Sequence, residues 1–317
     1  MSVESTTLAS MPILGVGLAV ASAAAMSVGN IWQSKGVDLA TKNKGDKPLF
    51  VSMLKTGIWL AGTGMFALAV LLQMGSLAFA PLMVVQPIGV LALVFAVFLT
   101  ARATGKKPNP GVLKAVAICL SGVFVYVIIA AMVSKQKAIS DGQLVAVLVA
   151  LLIALIAAGI VRLVNHGSSR KAPILYVLLG AVFSSFVATL GKTVILRIQS
   201  LFAGHHFSLD HGGLLTIFCV IGIGIASALS IYCVQTAYTC NPSDVVVAGL
   251  TVVDPAVAVI LGITILNEAA GAPVWSLFAI AVAGAVAIYG VLKLSKAENP
   301  PRKGTVEEDA AVGKSPL

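Results

Sequence analysis

Charge is what this chain has least of. Asp, Glu, Lys and Arg together make up 10% of its 317 residues, where a soluble domain carries about 25%. Apolar residues reach 58% and the mean hydropathy is +1.01. A soluble core of this length could not hide that much apolar surface, whereas lipid can face it directly. Cysteine is also scarce. Cys119, Cys219, Cys233 and Cys240 lie in or at the ends of apolar runs with no ligand-like pairing, which argues against a disulfide framework or a zinc site. The N-terminus lacks a basic stretch ahead of its first apolar run, so no cleaved signal peptide is expected. A Walker A loop, a nucleophile motif and a metal cage are all missing, so the chain does not read as an enzyme, needs no cofactor and is not driven directly by ATP.

The long apolar runs that are present set the fold class. A bilayer span needs about 20 mostly apolar residues. Nine such runs occur, at roughly 12–34, 49–73, 77–101, 110–132, 142–164, 173–199, 212–236, 243–266 and 273–294. The expected fold is therefore an all-α polytopic bundle occupying 12–294. A short extracytoplasmic segment, 1–11, precedes it, and a polar, disordered cytoplasmic tail, 295–317, follows.

Lys and Arg outnumber Asp and Glu by 21 to 12. They gather in short loops, which is where the positive-inside rule places them, and this excludes nucleic acid as the partner. Lys35, Lys42, Lys44, Lys47, Arg102, Lys106, Lys107, Arg162, Arg170 and Lys171 all fall on one side of a nine-span chain, together with the basic C-terminal segment. Lys135, Lys137 and Arg197 fall on the other. The N-terminus is thus expected outside and the C-terminus in the cytoplasm of a cell carrying this multi-pass protein in its membrane.

The two halves echo each other. Residues 71–99 read LLQMGSLAFAPLMVVQPIGVLALVFAVFL, and residues 233–266 read CVQTAYTCNPSDVVVAGLTVVDPAVAVILGITIL. Each has a glutamine at a helix end, a small-residue turn with proline, and then a polar residue followed by proline inside the next span: Gln86–Pro87 and Asp254–Pro255. The halves run about 12–132 and 142–294. Spans 2–4 would match spans 7–9, and an odd offset of five inverts one copy relative to the other. Inverted repeats are the build of many secondary transporters, with the site at the repeat interface near the midplane.

Several of these stretches carry a family resemblance. ILGVGLAVASAAAMSVGNIWQSKG at 13–36 resembles the first helix of NIPA-type proteins, and LAFAPLMVVQPIGVLALVFAVFL at 77–99 resembles their third. VFSSFVATLGKTV at 182–194 and the Asn241–Pro242 turn fit the second half. The resemblance covers about 13–294 and implies membership of the drug/metabolite transporter superfamily, with nine or ten helices. It also implies magnesium as one substrate to consider, because eukaryotic NIPA proteins are associated with magnesium transport. Relatives in the superfamily move metabolites, drugs or sugars, and fold alone does not choose among these.

Ionisable groups within spans are costly and mark function by default. Lys192 lies deep in span 6, with Thr189 and Ser185 on the same face. Asp254 lies mid-span, with Thr251 one turn before it and Pro255 after it. Ser27 and Asn30 share a face of span 1, and Gln86 is the repeat partner of Asp254. Lys192, Asp254, Asn30, Gln86, Ser27, Ser185, Thr189 and Thr251 are the candidate substrate-binding or coupling residues, around a cavity between spans 1, 3, 6 and 8. Interhelical hydrogen bonding is the plainer role for the hydroxyls. A Lys192–Asp254 pair would couple transport to protons. Glu268 and Asp244 sit at span ends and read as solvated. His205, His206, Asp210 and His211 read as a solvated loop. The small-residue stripes Gly15, Ala19, Ala23, Ser27 and Ala279, Ala283, Ala287 suit close packing inside the bundle, with a homodimer as the alternative.

Mg²⁺ wants carboxylate or carbonyl oxygen and dehydrates reluctantly. A lysine beside the one deep carboxylate would repel it. The residues therefore point to a small organic metabolite or drug-like solute, one with an anionic group suiting the lysine. A magnesium or other divalent cation carrier and a non-transporting scaffold are the alternatives.

Overall fold

A computed structural model of the chain describes residues 11–42, 49–105, 107–136, 138–164, 173–202, 211–241 and 243–298. Among these the chain is α-helical, without strands. Eleven helices follow in order: α1 Pro12–Lys42, α2 Leu49–Leu54, α3 Gly57–Phe79, α4 Leu82–Ile88, α5 Leu91–Thr104, α6 Pro110–Val133, α7 Asp141–Val164, α8 Pro173–Phe202, α9 His211–Cys240, α10 Ser243–Thr264 and α11 Val274–Glu298. Nine candidate spans arise from them, α4 and α5 forming one interrupted span. The protein is thus a polytopic membrane bundle, as its composition requires.

Several boundaries differ from the sequence expectation. The first span runs on to Lys42, so Lys35 and Lys42 extend a helix. The second is preceded by the separate turn α2 and reaches Phe79. Helix α11 continues to Glu298, so residues 295–298 are helical, contrary to a tail beginning at 295. The tail beyond, residues 1–10 and the positions of His205, His206, Asp210, Lys44, Lys47 and Lys137 lie outside the described residues.

Prolines explain where the third span breaks. Pro81 disfavours helical geometry at the residue before it. Ala80 is accordingly extended, at φ −131° and ψ 152°, and α3 stops. Pro87 removes a helical donor. Gly89 and Val90 then bond three residues back, to the carbonyls of Gln86 and Pro87, before α5 resumes at Leu91. Helix α10 contains Pro255 yet remains one helix.

Most of the packing scheme is symmetric under exchange of the halves. Helix α1 packs on α3 and on the interrupted span α4–α5; α8 packs in the same way on α9 and α10. The contact of α4 with α6 corresponds to that of α10 with α11. The pairings of α4 with α10 and of α6 with α11 map onto themselves, whereas α8 also packs on α3 and α4 without a matching contact of α1 on α9 or α10. Spans related by this exchange are five apart and so cross in opposite directions. Helix α7 packs on α8 and α9 and is left without a counterpart.

Glycines permit the closest approach. A Cβ on Gly290 would lie 2.6 Å from Cys119 Cα, and one on Gly122 would lie 2.8 Å from Ala287 Cα. The stripe ending at Ala287 therefore packs inside the bundle, at the α6–α11 seam. Gly15 likewise faces Ala80.

Candidate functional site

Two polar centres interrupt the apolar core. The first surrounds the break between α3 and α4. A helix end leaves carbonyls without donors, and a helix start leaves N–H groups without acceptors. Inside a membrane these must be met by protein. Lys192, on α8 and 1% exposed, donates through Nζ to the Leu77 carbonyl, to the Ala80 carbonyl at 2.7 Å and to Gln136 Oε1 at 3.0 Å. The Nε2 groups of Gln136 and Gln199 each donate to the Ala78 carbonyl at 2.9 Å. The start of α4 is met by Glu268, whose Oε1 accepts from Leu82 N at 2.6 Å and Oε2 from Met83 N at 2.8 Å. A cation thus meets the C-terminal end of one helix and an anion the N-terminal end of the next, as the helix dipoles favour.

Glu268 is itself held from three sides. Its N–H donates to the Gly262 carbonyl at 3.1 Å, and its carbonyl accepts from Lys135 N at 2.8 Å. Gln143 Nε2 braces the connection at the Ile265 carbonyl. A Cβ on Gly262 would come 3.0 Å from Glu268 Oε2, so the glycine makes room for the carboxylate. Asn267, at φ 54°, takes the left-handed conformation that turns the connection back over the bundle. The reading of Glu268 as solvated is therefore wrong: the residue is 3% exposed. Span-end position does not reveal that a connection folds inward to cap a broken helix. Burial raises the Glu268 carboxyl above its ordinary value, with Lys192 and the Met83 and Leu82 amides opposing.

The second centre lies near the middle of α8 and α10. Ser184 Oγ donates to Asp254 Oδ2 at 2.6 Å. Ser185 Oγ lies 3.0 Å from Asp254 Oδ1, 2.8 Å from the Asp254 carbonyl and 2.8 Å from the Ala181 carbonyl, and its one hydrogen is shared among them. Thr189 continues the same face of α8, its hydroxyl donating to the Ser185 carbonyl. Thr251 donates to the Val247 carbonyl. Pro255 has no N–H, so the Thr251 carbonyl lacks its usual helical donor. Asp254 is partly exposed although it is mid-span.

The expected constellation is therefore divided. The stripe Ser185, Thr189, Lys192 is buried on one face of α8 as its spacing implied, but Lys192 and Asp254 do not pair. Seven residues separate Lys192 from Ser185, which is about 10 Å along the helix, and both charges have other partners. Ser27 ties α1 to α5, its one hydroxyl hydrogen shared between the Ala92 carbonyl at 2.6 Å and the Ala23 carbonyl of its own helix at 2.9 Å. Asn30 is exposed on α1, and Gln86 is partly buried on α4. Neither contacts Asp254 or Lys192 through a hydrogen bond. Ser184, Gln136, Gln199 and Glu268 were missed. The signal for Glu268 was present: a helix restarting after Pro81 inside a membrane needs an acceptor, and acidic residues near span ends are few.

Among the described residues no group of three or more His, Cys, Asp or Glu side chains is placed to hold a metal. The chain is 26% identical over 293 residues to an uncharacterised protein of Corynebacterium glutamicum, an alignment covering 91% of this chain and 97% of the other. No family model matches the chain. No solved structure matches it.

Proposed function

We propose that the protein is a secondary transporter of the drug/metabolite type that moves a small organic solute across the cell membrane. The observation that carries this is the largely exchange-symmetric packing of the two halves, with an interrupted span, α4–α5, set against the proline-containing α10. Inverted repeats of this kind bind solute at their interface and alternate access by rocking one repeat against the other. Asp254 and its serines lie beside that interface at mid-span depth. The Lys192–Glu268 centre closes one end of the bundle, and by the loop charges that end faces outward. Rocking would have to part it.

A divalent-cation carrier has one observation in its favour. Lys192 is bound elsewhere, so its charge does not bear on Asp254 as the sequence suggested. A single carboxylate is still a poor match for Mg²⁺, which demands near-octahedral oxygen and keeps its waters. The test is uptake by sealed proteoliposomes of a metabolite panel and, in parallel, of Mg²⁺ read by an enclosed dye. Saturable uptake of an organic solute, with Mg²⁺ no faster than in empty vesicles, supports the proposal. Saturable Mg²⁺ uptake with no organic flux overturns it.

A further inference from the structure

We propose that the solute is a monovalent organic cation, an ammonium-bearing molecule, and that its charged group is received by the Asp254 carboxylate held by Ser184 and Ser185. The inference rests on the transporter reading and deepens it.

A carboxylate at mid-bilayer is expensive and normally has a named partner. Asp254 has no cation among the described residues. The helices packed on α10 are α4, α8, α9 and α11. Helix α4 carries no ionisable side chain. On α8, Lys192 is occupied by the α3 carbonyls and Gln136, and Arg197 pairs with Asp141 at 3.1 Å. On α11, Lys293 lies over the Tyr289 ring at 4.9 Å, and Lys296 is in the last turn. Helix α9 offers no lysine or arginine. What neutralises Asp254 must therefore be mobile: a proton, or a cation that displaces it.

The groups around the carboxylate then select among cations. Both serine hydroxyls reach it from α8, which fixes its orientation and leaves further lone pairs as acceptors. The Thr251 carbonyl, without its helical donor because of Pro255, is an acceptor one turn away. Acceptors without donors suit N–H groups, and an ammonium supplies up to three. A single positive charge leaves the site neutral, whereas a divalent ion would leave one charge uncompensated in a low dielectric. Gln86 completes the arrangement. Its side-chain amide has no hydrogen-bond partner among the described residues, although it is partly buried on the helix facing α10. Helices α4 and α10 run antiparallel, with Leu82 beside Gly262. Counting at about 1.5 Å per residue puts Gln86 and Asp254 roughly 6 Å apart along the bundle axis. That spacing suits a solute with a cationic end and a polar or hydrogen-bonding body.

The test uses dicyclohexylcarbodiimide, which modifies protonated carboxyls in apolar surroundings, on the purified full-length protein in lipid nanodiscs, with the labelled peptide identified by mass spectrometry. Benzylammonium, benzyl alcohol and benzoate serve as size-matched probes, with methylammonium and sodium alongside. Labelling at Asp254 should fall about ten-fold with benzylammonium at ten times its Kd, and be unmoved by benzyl alcohol or benzoate. Asp254→Asn should remove the labelled peptide. Ser184→Ala should keep the label but weaken protection, which shows that the fold survives. Protection by benzoate or benzyl alcohol equal to that by benzylammonium overturns the proposal, as does protection by sodium alone or by no probe. Proteoliposome flux separates the two readings. Carriage of a neutral or anionic solute without cation protection sinks this inference and leaves the transporter standing; protection without flux of any solute does the reverse.

Discussion

Removing the Glu268 side chain should damage the break between α3 and α4 more than any other single truncation at that end of the bundle. Its two oxygens are the acceptors for Leu82 N and Met83 N, at a helix start whose Leu82 and Met83 are fully buried. A buried donor left unmet costs about 1–3 kcal/mol, so Glu268→Ala should lose roughly 2–6 kcal/mol for the pair. At about 2 °C per kcal/mol for a chain of this length, the midpoint of thermal unfolding in detergent should fall by about 4–12 °C. Lys192→Met should also destabilise, because it strands the Leu77 and Ala80 carbonyls. The double variant should fall short of the summed losses by about 0.5–3 kcal/mol, since each single change leaves the other charge without its counterweight. The assay is fluorescence-monitored melting of all four proteins, with monodispersity checked beforehand. A Glu268→Ala midpoint indistinguishable from the parent, or strict additivity with Lys192→Met, would refute the reasoning.

Three further outcomes are expected. Because burial holds the Glu268 carboxyl above its ordinary 4.5, the folded protein keeps that proton to higher pH than the unfolded chain does. Its contribution to stability is complete below pH 4.5 and is lost as pH rises through the folded value. Melting curves against pH should show that decline, and Glu268→Gln should flatten it. Gly290→Ala should drive a methyl into the α6 backbone at Cys119 and lower the melting midpoint. Gly17→Ala and Gly224→Ala, where nothing lies within 4 Å, should be neutral or gain up to about 1 kcal/mol of helix propensity; equal effects at all three positions would contradict the packing described. A reporter fused beyond α11 should read as cytoplasmic, and an external signal would overturn the orientation drawn from the loop charges.

The spans were legible because apolar length is a local property; the interruption at Pro81 and Pro87 was not, since residues 77–101 read as one apolar span. The face shared by Ser185, Thr189 and Lys192 was legible for the same reason as the spans, since helical spacing alone fixes it. Partnership was not. Lys192 and Asp254 look like a pair when they are the two deepest charges, but depth says nothing of azimuth or of where each side chain reaches. Lys192 reaches main-chain carbonyls, which carry no signature in a sequence. Glu268 was misjudged because it sits at a span end, where an acidic side chain reads as solvated. Only the chain's return path through space brings it to Leu82.

That main-chain character has a genetic consequence. Lys192, Gln136, Gln199 and Glu268 address backbone atoms of residues 77–83, so the side chains of that segment answer to packing and not to the charges that hold it. Selection on the network would register at four positions scattered over 133 residues of sequence and be silent at the segment they grip. Second-site suppressors of a Lys192 lesion would arise at Glu268 or Gln136, where the missing charge can be rebalanced, and not at Leu77, Ala78 or Ala80, where no replacement side chain can withdraw a carbonyl.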